Sequence, residues 1–197
     1  MSRPAKIGGP KAAATPPAGL GPDADASLTD APRSLTEFMA QALAMEIEAA
    51  QRYTEFADAM ETHNNRDVAE LFRKMAAIEG RHAERIMTTM HWSKAPAQAG
   101  KRIWRGFEAP ETLAIDDVHY LMQPYHALQL ALAAEKRAAR FFGDLARVAT
   151  VEAVRRAALE MQAEEHEHVE LVKSWLKKVP PPASDWADDP DPPHYVD

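Results

Sequence analysis

Four long stretches of the chain repeat an apolar residue every three or four positions, the spacing of one face of an α-helix. In the first, about residues 35–60, the stripe is Leu35, Met39, Ala42, Ala49, Tyr53, Phe56 and Met60. Ser34 and Glu37, three apart at its start, predict a capping box. The polar link "THNN" leads to a second stretch, about 66–89, striped by Val68, Leu71, Met75 and Ile86 and running on to Met90. Residues 91–123 form a long connection containing Pro96, Gly100, Gly106 and Pro110, with one short helix expected near "DDVHYLM". A third helix is predicted from Pro124 to about 148, since proline at the first helical position lacks only an amide that would find no partner there. Thr150 is the expected cap of a fourth, over 151–178, ended by the prolines of 180–182. Short link, long crossover and short link describe an all-α antiparallel four-helix bundle.

The two ends depart from this pattern. Residues 1–33 hold six prolines, and residues 180–197 hold six more with five aspartates and no Lys or Arg. Neither buries enough apolar area to offset the entropy of ordering it, so both are expected as disordered or loosely attached tails. Trp186, His194 and Tyr195 fall in the second, which is read as a solvated tail ahead of the alternative, a segment that docks a partner or an encapsulating shell. The folded unit is then 34–179.

Each helical stripe is interrupted once by residues foreign to a core. Glu46 breaks the first, Glu79 and His82 the second, Glu135 the third, and Glu165 with His168 the fourth. The run "MQAEEHEHVELV" divides accordingly: Glu165 and His168 share the face of Met161, Val172 and Trp175. Glu160, Glu164 and Glu167 follow a row with Arg156 and Ser174 and are expected in water, as are His166 and Glu170. The depths agree as well. Glu46 lies 18 residues before Asn64, and Glu79 and His82 lie 15 and 18 after it. Glu135 lies 15 before Thr150, and Glu165 and His168 lie 15 and 18 after. Because rise per residue is constant, equal distances from the turn of an antiparallel hairpin mean equal depth, so all six side chains are expected in one layer. An internal repeat supports this: "AMEIEAAQRY" parallels "AAEKRAARFF", and "MAAIEGRHAERI" parallels "MQAEEHEHVELV".

Four buried glutamates need a counter-charge, and no Lys or Arg occupies the inward faces at that level. Two divalent metal ions would supply it, and mixed carboxylate and imidazole ligands suit Fe, Mn or Zn better than Mg or Ca. The absence of cysteine excludes disulfides, thiolate zinc sites and thiolate-held iron–sulfur clusters. A net charge of −7 argues against non-specific nucleic-acid binding. No apolar run approaches the ~18 residues of a membrane span, and no apolar segment follows Arg3 and Lys6 as in a secretory signal. The expectation is a cytoplasmic protein with no nucleic-acid and no membrane partner.

At "EIEAAQRY" from Glu46, "EGRH" from Glu79, "EKRAARFF" from Glu135 and "EHEH" from Glu165, the chain resembles the rubrerythrin branch of the ferritin-like superfamily, and more loosely bacterioferritin. The resemblance covers about residues 35–178. It implies a ferritin-like fold and a non-haem centre of two iron ions, with Mn or Zn able to substitute. The Glu79 and Glu135 pair, or the Glu46 and Glu165 pair, would take the bridging roles. Rubrerythrins usually carry a further Glu where this chain has Ala138, and a rubredoxin domain that a cysteine-free chain lacks. The first departure makes the ligand set more like the four-Glu, two-His centre of bacterioferritin. The second means that a peroxidase cycle would need a separate electron donor protein.

The function implied is reaction of Fe(II) with hydrogen peroxide or dioxygen, in defence against oxidative stress or in ferroxidase-type iron detoxification. Tyr53 is the expected neighbour that hydrogen-bonds a ligand carboxylate or donates an electron. Two other readings share the ligand set: iron storage or delivery without turnover, and oxygenation of an organic substrate. The prolines after Lys178 leave no room for the short fifth helix that closes a ferritin cage, so a homodimer is expected.

Overall fold

The computed structural model describes residues 31–97, 102–105 and 108–188. Four α-helices dominate: α1 (Leu35–Thr62), α2 (Arg66–Thr89), α3 (Pro124–Val148) and α4 (Glu152–Leu176). Among the described residues of the crossover between α2 and α3 lies a 3-10 turn, Ile115–Asp117, close to the short helix expected there. Helix α1 packs chiefly on α2 and α3 on α4, and the two hairpins meet through α2 with α3 and α1 with α4. The bundle is the all-α, ferritin-like architecture that the stripes predict. Among the described residues no helix is long and apolar enough to cross a membrane.

The helix ends follow local chemistry, with two departures from expectation. The Glu37 amide donates to Ser34 Oγ at 3.1 Å, as a cap should, but the Glu37 carboxylate accepts from the Arg33 amide at 2.8 Å rather than from Ser34. Half of the capping box forms and the other half shifts by one residue. At α4 the cap position is Val151, in extended conformation, and no side chain caps the helix. Thr150 therefore stands one residue too early for its hydroxyl to reach the free amides of the first turn. Pro124 opens α3 as expected, and the Gln123 amide before it donates to His126 Nδ1 at 3.0 Å. In the α1–α2 link Asn64 takes a positive φ of 58°, which asparagine tolerates better than most residues. The Asn65 side chain donates to the carbonyls of Tyr120 and Met122, tying the end of the crossover to this link.

The interior consists of two apolar clusters with a polar layer between them. One is built around Phe38, Leu43, Met45, Trp104, Phe141, Phe142, Leu145 and Met161. The other gathers Tyr53, Phe56, Phe72, Met75, Leu113, Leu128, Val169 and Val172. The crossover belongs to both, since Ile103, Trp104 and Ala109 pack into the first and Leu113 and Met122 into the second. Residues 109–113 thus cross the polar layer. Trp186, expected in a solvated tail, packs against the second cluster, its ring 3.9 Å from that of His126 and 5.7 Å from that of His119. A large aromatic side chain gains more from this contact than a short backbone segment loses by being ordered. The expected N-terminal tail up to residue 30, and His194 and Tyr195, lie outside the described residues.

Candidate metal centre

The six residues that interrupt the four stripes come together at mid-height in the bundle. Glu46, Glu79, Glu135 and Glu165 are wholly buried, and His82 and His168 retain 9% of their surface. His168 Nδ1 lies 3.2 Å from Glu135 Oε2 and 3.6 Å from Glu165 Oε2. His82 Nδ1 lies 3.8 Å from Glu46 Oε1, and the two imidazole rings stand 4.4 Å apart between centroids. Three-residue groups whose ligand atoms all fall within 4.8 Å of one another link the set: Glu79 with His82 and His168, Glu46 with His82 and Glu165, and Glu135 with Glu165 and His168. The equal spacing from each turn thus translates into equal depth, because unbroken helices convert residue number into length. The rest of "MQAEEHEHVELV" divides as expected except at Glu164, expected in water. His166, Glu167 and Glu170 are exposed, while Glu164 is half-buried and paired with Arg85 at 2.5 Å.

One further carboxylate joins the layer. Glu111, in the crossover, is wholly buried, and its oxygens group with those of Glu46 and Glu79 within the same 4.8 Å limit. Sequence reasoning passed it over because it lies on no helix, so neither periodicity nor distance from a turn fixes its depth. The available signal was "APETLAI", residues 109–115, where Glu111 is the one charged residue in a mostly apolar loop segment. Tyr53 sits beside the layer with its hydroxyl buried and no hydrogen-bond partner. The hydrogen bond expected from it to a carboxylate is not formed.

The electrostatics are those of carboxylates crowded out of water. Burial pushes Glu46 and Glu79 well above the usual carboxylate range, and the neighbouring glutamates, Glu111 foremost, push them further. Glu111 and Glu165 rise to about 8, again chiefly through burial. Glu135 is raised by burial too, with the contact to His168 opposing. Burial alone would lower His168, but its hydrogen bonds to Glu135 and Glu165 outweigh this and carry it to about 10. His82 falls to about 3, through burial and then through the charge of His168. Tyr53 is raised by burial and by Glu135.

These residues fit a pair of metal ions. Both oxygens of Glu46, Glu79 and Glu165, Glu135 Oε1 and His82 Nδ1 are buried without a hydrogen-bond partner, a costly state unless something else satisfies them. No Lys or Arg among the described residues pairs with them. Oxygen and imidazole nitrogen donors, two or three to a group, are the chemistry of a borderline transition-metal ion.

A sequence-family model described as rubrerythrin matches residues 37–121, which include the "EIEAAQRY" and "EGRH" motifs and Glu111. No curated protein matches the chain. Among solved structures, an uncharacterised conserved protein from Magnetospirillum magnetotacticum MS-1 is 37% identical and superposes with a TM-score of 0.57. The match covers 76% of this chain and 98% of that one. With its four-helix fold, its carboxylate and histidine layer and these likenesses, the chain belongs to the rubrerythrin family of the ferritin-like superfamily.

Proposed function

We propose that the polar layer is a di-iron centre held by Glu46, Glu79, His82, Glu135, Glu165 and His168. The protein uses it to react with hydrogen peroxide or dioxygen, as a peroxide scavenger or as a ferroxidase that detoxifies iron. The observation that carries this reading is the convergence, from all four helices, of buried carboxylate and imidazole atoms that lack partners. Bound iron would supply the electrons that reduce peroxide or dioxygen.

The chain's own part is to bind, to balance charge and to exclude water. The four carboxylates offset two divalent ions, so loading displaces the protons that burial otherwise forces onto them. His82, with its low proton affinity, keeps a nitrogen lone pair free for coordination at neutral pH. His168 is held at Glu135 and Glu165, and to serve as a ligand it would release the proton that those contacts favour. The aromatic clusters on either side, with Phe72 and Tyr53 below and Phe141 and Phe142 above, keep the layer dry. Tyr53, buried beside the carboxylates, is the candidate electron donor of the protein itself. A separate electron donor protein would close a peroxidase cycle.

The test is anaerobic loading with Fe(II), followed by stopped-flow mixing with hydrogen peroxide and, separately, with dioxygen. Rapid oxidation by peroxide with slow reaction toward dioxygen supports scavenging, and the reverse supports a ferroxidase. An iron count near two per chain, with no larger load on prolonged exposure, distinguishes either from storage. Absence of any optical change with both oxidants, together with unchanged metal content in Glu79→Ala, would sink the proposal.

A further inference from the structure

The crossover does more than connect the hairpins. Between Ala109, which packs in one apolar cluster, and Leu113, which packs in the other, the chain passes the polar layer and delivers Glu111 into it. Both Glu111 oxygens are buried without a hydrogen-bond partner, and the carboxylate groups with those of Glu46 and Glu79 within 4.8 Å.

The segment is fixed from both sides. Glu48 on α1 accepts the Ala109 amide at 2.9 Å and the Thr112 hydroxyl at 3.0 Å with the same oxygen. Arg52, one turn further along α1, donates to the Leu113 carbonyl at 2.6 Å and to Glu108 at 2.8 Å. From α3, Arg137 donates to the carbonyls of Pro110 at 3.0 Å and Thr112 at 3.3 Å. The Thr112 amide closes a turn on Ala109 at 3.0 Å. Every residue flanking Glu111 is therefore anchored, while its own carboxylate is left without a partner and aimed inward. Burying an ionisable group in a strap this well fastened is costly unless the group has a partner of its own in the working protein. Glu48 and Arg137 stand at corresponding places of the internal repeat, each two residues after a layer glutamate. There is only one crossover, and so only one such strap.

Resting on the metal-centre reading above, we propose that Glu111 is a seventh protein ligand, carried by the crossover and serving the Glu46 and Glu79 half of the centre. Glu48, Arg52 and Arg137 are its positioning residues. The approximate two-fold symmetry of four glutamates and two histidines is then broken by one carboxylate, and the two metal positions are inequivalent. Five carboxylates exceed the charge of two divalent ions and fall short of that of two trivalent ions. Compared with a four-carboxylate cage, the strap favours the oxidised pair.

The full-length protein, stripped with chelator and titrated anaerobically with Co(II), tests this by affinity and by visible spectrum. The wild type is expected to bind two ions with distinguishable affinities. Glu111→Gln and Glu111→Ala should weaken one of them at least tenfold, change the spectrum of that ion, and leave the other in place. Arg52→Met, which loosens the strap without touching the layer, should weaken the same ion by less. The iron-loaded Glu111→Gln protein should show a higher reduction potential than the wild type. As a second measurement needing no variant, hydrogen exchange at the Thr112 and Leu113 amides should slow when Co(II) binds. Two ions bound by Glu111→Gln with wild-type affinities and spectrum, or loop exchange indifferent to metal, would overturn the inference while leaving the centre standing. A wild-type chain that takes up no metal overturns the centre and this ligand together.

Discussion

The glutamate layer should make the chelator-stripped protein less stable at neutral pH than a variant that has given up one carboxylate. Glu165→Gln is the informative change, because the side chain is wholly buried and Gln has nearly its shape. Burial is the chief cause that pushes the Glu165 carboxyl up from its ordinary 4.5 to about 8 in the folded chain. A folded-state value above the unfolded one means that this group's contribution is fully present below about pH 4.5. It is lost as pH rises toward 8, because the unfolded chain gives up its proton and the folded chain must keep it. Each pH unit in that window costs about 1.4 kcal/mol, so at pH 7 the penalty is roughly 3 kcal/mol, and it levels off near 5 kcal/mol above pH 8. Glutamine pays none of it. Urea unfolding followed by circular dichroism should therefore show the stripped variant more stable than the stripped wild type by roughly 3 kcal/mol at pH 7. The two should converge near pH 4.5. With metal added the order should reverse, since the variant has lost a ligand. A stripped Glu165→Gln protein no more stable than wild type at pH 7, or a difference that does not change with pH, would refute the reasoning.

Stripping metal from the wild type at pH 7 should lower its thermal midpoint, and restoring Zn(II) or Co(II) at a thousandfold excess over Kd should return about 4 kcal/mol for each ion bound, measured by calorimetry. Phe142→Ala, which empties a fully buried site packed edge-on against Phe38, should cost about 3–5 kcal/mol in denaturant unfolding without changing metal content. Gly80→Ala should stabilise by up to about 1 kcal/mol, because a Cβ there meets nothing within 4 Å and alanine is the better helix former; its metal titration should match the wild type. Tyr53→Phe should shift stability by no more than about 1 kcal/mol, since the hydroxyl has no partner to lose, and a slower oxidation in stopped flow would mark the ring as an electron donor.

What could be read from the sequence was what helices encode. A constant rise and a constant turn per residue convert spacing into face and depth, so Glu46, Glu79, His82, Glu135, Glu165 and His168 could be placed in one layer before any coordinates. The bundle, its long crossover and the sorting of Glu165 and His168 from their exposed neighbours follow from the same rule. Local hydrogen bonds were less legible, as the shifted Glu37 contact and the unused Thr150 show, because a cap depends on which residue starts the helix and a one-residue change moves it. Only the tertiary structure decided where the irregular segments lie. Glu111 enters the layer because Glu48, Arg52 and Arg137, distant in sequence, hold the crossover against α1 and α3. Trp186 docks because His119 and His126 present a surface to it. A loop has no repeat that relates its sequence to a direction in space. Its side chains find their places only through contacts that the rest of the fold supplies.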